Sequence, residues 1–238
     1  MKEKLLVALD VATLPEALRL VDVLRDHVGG FKVGLELCMH AGPQTVIDAI
    51  SAVGGQVFVD VKLKDIPNTV AGAARAFARP GVLMYNVHCD GGTAMMRAAV
   101  AATGDATPRP LVIGVTVMTS IEQVVLNDEL RVQGTITEQA VHLARLALSA
   151  GLDGVVCSAH EVAAIKAACG AAFVTVVPGV RPTWAAVDDQ KRIMTPTDAI
   201  RAGADYLVIG RPITRPPATI GSPAEAARRI VAEIAGSI

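Results

Sequence analysis

Short apolar runs recur along the chain, and each is followed by a longer segment with the periodicity of a helix. The runs are rich in Val, Ile and Leu and are nearly continuous, which is typical of parallel strands covered on both faces. Several of the segments between them begin with a Ser/Thr-x-x-Glu pattern, which predicts a helix start. The predicted strands are residues 5–9, 31–33, 57–61, 82–87, 111–117, 154–157, 173–177 and 206–209, and the helix starts lie at Thr13, Thr135 and Ser222.

Eight strand–helix units within 238 residues predict an α/β fold of one domain. A TIM (β/α)8 barrel over residues 1–238 accommodates this number of units and this length, and a doubly wound sheet is the alternative. No linker or low-complexity stretch interrupts the series. The low aromatic content, 3%, requires a core built from aliphatic side chains.

Composition excludes several classes of function. The 22 basic and 23 acidic residues give a formal charge of −1, which argues against a bulk nucleic-acid binder. No apolar run is long enough to span a bilayer, and the first residues lack the apolar region of a signal peptide. The cysteines show no metal-ligand spacing and are interpreted as buried hydrophobes in a reducing cytoplasm. We therefore expect a cytoplasmic protein without a metal, a membrane or nucleic acid among its partners.

The segment after the third apolar run carries the most chemistry. On a strand with a period of two, Asp60 and Lys62 point the same way, and Asp65 lies just beyond in a loop. Buried charges are costly even when they are paired, so this cluster is explained more easily by chemistry than by folding. A plain salt bridge at a strand tip is the alternative interpretation.

Polar residues also lie in or directly after most of the other predicted strands. A barrel places its catalytic groups at the carboxyl ends of strands, so these residues are expected to meet at one end of the fold. The loops after the seventh and eighth strands are the usual phosphate site of such barrels. The residues at these positions are Asp10, Lys32, Asp60, Lys62, His88, Thr119, Ser120, Arg181, Gly210 and Arg211.

The pattern D-x-K-x-x-D-I-x-x-T, from Asp60 to Thr69, resembles the signature of orotidine 5'-phosphate decarboxylases. The segments Pro178-Gly179-Val180-Arg181-Pro182 and Ile209-Gly210-Arg211-Pro212 are similar to that family as well, and the resemblance extends over residues 6–214. It implies decarboxylation of orotidine 5'-phosphate to uridine 5'-phosphate and CO2 in pyrimidine biosynthesis. It also implies that no cofactor takes part.

The resemblance further implies a role for each matching residue. Lys62 would protonate a carbanion at C6 of the pyrimidine, within a charged network with Lys32, Asp60 and Asp65. The resemblance also implies a homodimer with shared active sites, in which Asp65 and Thr69 would reach into the partner's site. The other expected substrate contacts are Asp10 at the ribose, Thr119 at the pyrimidine, and Arg181, Gln190, Gly210 and Arg211 at the phosphate.

Two positions depart from the family pattern, and two other functions stay open. Lys64 stands where relatives often have histidine, and Trp184 falls in a loop that often has small residues. A sugar-phosphate decarboxylase or hexulose-phosphate synthase of the same superfamily shares D-x-K-x-x-D, but it uses magnesium held partly by an acid where this chain has Lys32. A nucleotide-binding protein without activity is the third hypothesis.

Overall fold

Eight parallel strands form a closed barrel in this computed structural model, which describes residues 1–185 and 194–236. Strands adjacent in the chain pair with each other, and the last strand pairs with the first. The predicted (β/α)8 barrel is therefore confirmed, and the open doubly wound sheet is wrong. The strands are β1 (Leu5–Ala8), β2 (Gly30–Val33), β3 (Val57–Leu63), β4 (Val82–His88), β5 (Leu111–Val115), β6 (Gly154–Val156), β7 (Val174–Pro178) and β8 (Tyr206–Ile209).

Helices connect the strands and cover the outside of the barrel. One connection, between β2 and β3, contains two helices, and a single-turn helix precedes the last long one. The helices are α1 (Leu14–Leu24), α2 (Leu35–Ala41), α3 (Pro43–Ala52), α4 (Pro67–Phe77), α5 (Thr93–Thr103), α6 (Ile136–Ala150), α7 (Val162–Cys169), α8 (Pro196–Arg201), α9 (Arg211–Thr214) and α10 (Pro223–Ala235).

The predicted helix starts at Thr13, Thr135 and Ser222 are confirmed, because each hydroxyl accepts a hydrogen bond from an N–H in the first turn. The reciprocal bond of a full capping box forms at Thr135, where the Glu138 carboxylate accepts from the Thr135 N–H at 2.8 Å. At Ser222 the corresponding glutamate instead accepts hydrogen bonds from two arginines one turn later in α10. The pattern therefore predicts where these helices begin better than it predicts both hydrogen bonds.

Most strand ends lie within one residue of the predicted boundaries, and two, those of β5 and β3, differ by two residues. β5 ends at Val115 rather than Val117, and at Thr116 both the N–H, at 3.3 Å, and the hydroxyl, at 2.8 Å, donate to the Val156 carbonyl. β3 continues to Leu63, but its register against β4 shifts after Val59. This shift is a bulge, and it occurs where the charged residues of β3 begin.

Strand residues are buried on both faces, as the continuous apolar runs predict. One set faces the helices, and the alternate set fills the barrel interior. The interior set is Leu6, Ala8, Phe58, Met84, Ile113, Val176 and Val208. The next alternate residue toward the carboxyl end is Asp10 after Ala8, Asp60 after Phe58 and Asn86 after Met84. The apolar interior thus ends where a polar layer begins.

Two predictions from composition can be compared with the fold. Cys38, Cys89 and Cys157 are buried, Cys169 is half-buried, and all four are free thiols, as expected for small core residues. Burial raises the pKa of the Cys89 thiol to about 12, so this cysteine is not a ready nucleophile. Within residues 1–185 and 194–236, no helix is long and apolar enough to cross a membrane.

Candidate active site

A cavity of about 440 Å³ opens at the carboxyl ends of the barrel strands. Its floor is the top of the apolar interior, formed by Ala8, Phe58, Val176 and Val208. The barrel therefore brings together side chains that are far apart in the sequence. The predicted site residues that line it are Asp10, Lys32, Asp60, Lys62, Thr119, Arg181, Gly210 and Arg211.

A chain of alternating charges lies on one side of this cavity. The Lys32 ammonium donates to Asp10 Oδ1 at 2.7 Å and lies 3.6 Å from Asp60 Oδ2. The Lys62 ammonium donates to the other oxygen of Asp60, Oδ1, at 2.7 Å. Asp60 is thus held between two lysines, and each lysine is anchored on a carboxylate. Such a network fixes a cation at a defined point of a partly desolvated pocket.

The backbone at Lys62 is unusual for a lysine. Its φ is +52°, in the left-handed region that side chains with a Cβ rarely adopt. This conformation falls within the β3 bulge, so simple alternation does not place the Lys62 side chain. The expectation that Asp60 and Lys62 lie on the same side is met, but the bulge, rather than a regular strand, produces it.

Asn86 supports this conformation, and the sequence analysis overlooked it. Its Oδ1 accepts from the Lys62 N–H at 2.8 Å, and its Nδ2 donates to Asp60 Oδ1 at 2.7 Å. The side chain is fully buried at the centre of β4. An asparagine within an otherwise apolar strand was the available signal, because a buried amide needs hydrogen-bond partners.

The pKa of the Asp60 carboxyl is set by opposing effects. Burial raises this pKa, while the neighbouring ammonium groups of Lys32 and Lys62 and the Asn86 amide lower it, and the net shift is downward. Asp60 is therefore an anion at neutral pH in spite of its burial. A carboxylate held in this way repels a second anion placed beside it.

The opposite side of the cavity is built from the loops after β7 and β8. Arg181 is only 7% exposed, and its backbone N–H donates to the Met194 carbonyl at 3.0 Å. Gly210 follows β8, and a Cβ there would stand 3.6 Å from Asp10 Oδ2. Arg211 begins α9 directly after it. Two guanidinium groups at one end of a pocket are suited to a phosphate.

The structure does not bring every predicted residue into this cavity. Asp65 and Thr69 are exposed and lie outside its lining, and Asp65 Oδ1 accepts from the Ile66 N–H at 2.6 Å. Within one chain, the crowding of Asp65 against Lys62 therefore does not occur, because the chain turns away after β3. Gln190 lies outside the described residues.

Two ionisable side chains near the cavity, Lys64 and His88, do not belong to its lining. Lys64 is exposed and donates to Asp90 Oδ2 at 2.7 Å. His88, the last residue of β4, lies 3.6 Å from the same carboxylate group through its Nδ1. Burial lowers the pKa of His88, and the opposing attraction of Asp90 only partly offsets it.

In the described part of the chain, no three His, Cys, Asp or Glu side chains cluster as a metal site would require.

Comparisons with known proteins agree with the geometry. The model of the orotidine 5'-phosphate decarboxylase / HUMPS family matches residues 3–230. A curated orotidine 5'-phosphate decarboxylase from Heliobacterium modesticaldum is 51% identical, over 98% of this chain and 96% of that protein. One from Moorella thermoacetica is also 51% identical, over 98% of this chain and 92% of that protein.

Solved structures resemble this one as well. The orotidine 5'-phosphate decarboxylase of Lactobacillus acidophilus superposes with a TM-score of 0.83 at 34% identity, covering 97% of this chain and 98% of that chain. A family model that matches nearly the whole chain, together with relatives at this identity and coverage, identifies the family. The chain belongs to the orotidine 5'-phosphate decarboxylase / HUMPS family.

Proposed function

We propose that this protein is an orotidine 5'-phosphate decarboxylase, which converts orotidine 5'-phosphate to uridine 5'-phosphate and CO2. The observation that carries the proposal is the Lys62 ammonium, held 2.7 Å from Asp60 on one side of a cavity whose other side carries Arg181 and Arg211. The cavity thus offers a proton donor at one end and an anion site at the other. Its curated relatives carry the same activity in their names.

The substrate fits this arrangement in one orientation. Its phosphate lies against Arg181, Arg211 and Gly210, and Gln190 is a further candidate contact there. The ribose lies near Asp10 and Lys32, whose side chains join the two ends of the cavity. Thr119, on the wall after β5, faces the pyrimidine. The substrate carboxylate then lies beside the Asp60 anion.

The reaction proceeds by breaking one bond and forming another at C6. The bond from C6 to the carboxylate carbon breaks, its electron pair stays on C6, and CO2 leaves. Lys62 Nζ then gives a proton to C6 and regains one from solvent. The fixed ammonium stabilises the developing charge before it transfers the proton. No electrons are transferred to or from an external group in this reaction, so we propose that it proceeds without a cofactor.

The direct test is the loss of orotidine 5'-phosphate absorbance with purified protein in excess chelator. We expect turnover without added metal. Lys62→Ala should abolish decarboxylation while uridine 5'-phosphate still binds. Lys4→Ala is a matched control, because it removes the same charge at the opposite end of the barrel. Turnover by Lys62→Ala near the wild-type rate would refute the assignment of the proton donor.

The sugar-phosphate members of the superfamily remain the alternative, since the family description covers them too. They require an acid at the position of Lys32 to help hold magnesium, and an ammonium repels a divalent cation. The chelator experiment separates the two functions, because those enzymes would lose activity. A protein that only binds nucleotides would show equal binding by wild type and Lys62→Ala, with turnover by neither.

We also propose that the enzyme is a homodimer with shared active sites. Asp65 and Thr69 are exposed beside the cavity mouth, and Ile66 between them is 67% exposed. The resemblance of this segment to the family signature supports the shared sites, and the exposure of these residues leaves them accessible to a second copy. The free cysteines and the biosynthetic reaction fit a cytoplasmic location.

Subunit mixing tests the shared sites. Lys62→Ala and Asp65→Ala proteins are each expected to be inactive. If Asp65 acts in the partner's site, a mixed dimer contains one intact site and one site with both defects. Random exchange should then restore about a quarter of all sites. Activity that stays at the level of the separate variants, despite proven exchange, would contradict the proposal.

A further inference from the structure

Arg215 lines the cavity at its anion-binding end, although no part of the family signature includes it. It directly follows α9, the single helical turn that begins with Arg211. It also lines a neighbouring cleft of about 260 Å³, together with Val11, Glu16, Arg19, Leu20 and Thr214. Arg215 and Thr214 therefore form the ridge between the cavity and the cleft.

The position of Arg215 relative to Arg211 is fixed by the backbone. The Arg215 N–H donates to the Arg211 carbonyl at 2.9 Å, which closes one helical turn. Arg215 is the C-cap of this turn, and both its side chain and that of Arg211 line the same cavity. Two guanidinium groups in one pocket can reach different oxygens of one phosphate.

The charge of Arg215 is also available. Among residues 1–185 and 194–236, no carboxylate lies within ion-pair distance of its guanidinium. The side chain is exposed at the cavity rim, so it needs little reorganisation to meet an incoming anion. A phosphate monoester carries a charge close to −2 at neutral pH and presents three strong acceptor oxygens.

We propose that Arg215 is a further phosphate-binding residue of this enzyme. It contacts the outer oxygen of the substrate phosphate from the side of the cleft. The proposal rests on the proposed function only for the identity of the nucleotide, because the same group would hold any sugar phosphate in this cavity. Arg215 contributes to binding and does not touch the reacting carbon.

Arg215→Gln tests this contact, and Arg19→Gln is the matched control. Arg19 is an exposed arginine of the same cleft that does not line the cavity. We expect Arg215→Gln to weaken uridine 5'-phosphate binding about tenfold, as loss of one charge-assisted hydrogen bond would. Arg19→Gln should leave it within about twofold, and Arg215→Lys should recover part of the loss.

The binding of uridine, which lacks the phosphate, separates a phosphate contact from a change in the fold. Uridine affinity should be the same in wild type and Arg215→Gln, and KM should rise while kcat changes little. Equal weakening of uridine and its phosphate would overturn the proposal, as would unchanged phosphate binding. If wild type fails to decarboxylate, the proposed function fails on its own, and ribose 5-phosphate titrated into the same variants still decides the role of Arg215. Failure of ribose 5-phosphate to bind at all would also overturn it.

Discussion

Asn86 holds two parts of the charged network at once, so its removal should damage both stability and catalysis. Asn86→Ala deletes the donor to Asp60 and leaves the Lys62 N–H without its acceptor. A hydrogen bond to a charged group contributes about 1.5–3 kcal/mol, and an unsatisfied N–H costs about 1–3 kcal/mol. Since solvent can reach the half-buried Lys62, we expect a loss of about 2–4 kcal/mol in the free energy of unfolding.

The catalytic effect should exceed what that loss of stability explains. Without Asn86, neither the left-handed backbone of Lys62 nor the Asp60 carboxylate is held in place, so in the proposed mechanism the ammonium would shift away from C6. A misplacement of about 1 Å can cost on the order of a hundredfold in rate, and we expect kcat to fall by about this factor. Denaturant unfolding and steady-state kinetics on the same preparation measure both effects.

Asp205→Ala is the control for stability alone. Asp205 Oδ2 accepts from Lys166 Nζ at 2.6 Å and from the Thr175 N–H at 2.8 Å, at the end of the barrel opposite the cavity. Its loss should destabilise the fold to a similar extent without changing kcat. If Asn86→Ala keeps kcat within about threefold of wild type, or Asp205→Ala loses as much activity, the reasoning about positioning is wrong.

Asn86→Asp gives a finer test of the same contacts. The new carboxylate can still accept from the Lys62 N–H, but it replaces the donor to Asp60 with an acceptor. Two carboxylates at that distance do not both ionise readily, so the pair should retain a proton to a higher pH. When that proton is bound, the donor to Asp60 is restored. Activity relative to wild type should therefore rise as the pH falls.

Three further predictions concern neighbouring residues. Gly34→Ala would place a Cβ 3.2 Å from Lys32 Nζ and 3.7 Å from Asp10 Oδ1. Because the backbone at Gly34 is extended, we expect stability near that of the wild type. Because the new Cβ crowds Lys32 and Asp10, we expect kcat/KM to fall on the order of tenfold. Burial lowers the pKa of His88 below its value in the unfolded chain, so the unfolded chain binds more protons at pH values between the two pKa values. The wild type should therefore lose stability as the pH falls below about 6.5. His88→Gln should reduce this dependence in unfolding titrations. Trp184 is half-buried in the loop after β7 and packs against the core, and its fluorescence should change when a tight nucleotide analogue binds; an unchanged spectrum at saturation would place it outside any ligand-linked movement.

The sequence by itself determined the architecture and predicted many of the side chains that line the cavity. Continuous aliphatic runs separated by helical segments predict buried parallel strands, and their number and spacing favour the barrel. Polar residues such as Asp10 and Thr119 follow those runs, so the location of the cavity could be predicted without coordinates. These features are readable because they depend on local patterning, which tertiary contacts reinforce rather than override.

Only the tertiary structure decided how the charges meet. The bulge in β3 and the left-handed Lys62 depend on the register with β4, and pairing between strands is not encoded in the local sequence. In the sequence, Asn86 is a polar residue within an apolar strand, and only the fold shows that it hydrogen-bonds to both Lys62 and Asp60. Barrel closure likewise brings the loop after β8 beside Asp10 at the end of β1. Contacts between distant segments follow from how the chain closes on itself, and for that reason the sequence pattern could propose the site residues but not their geometry.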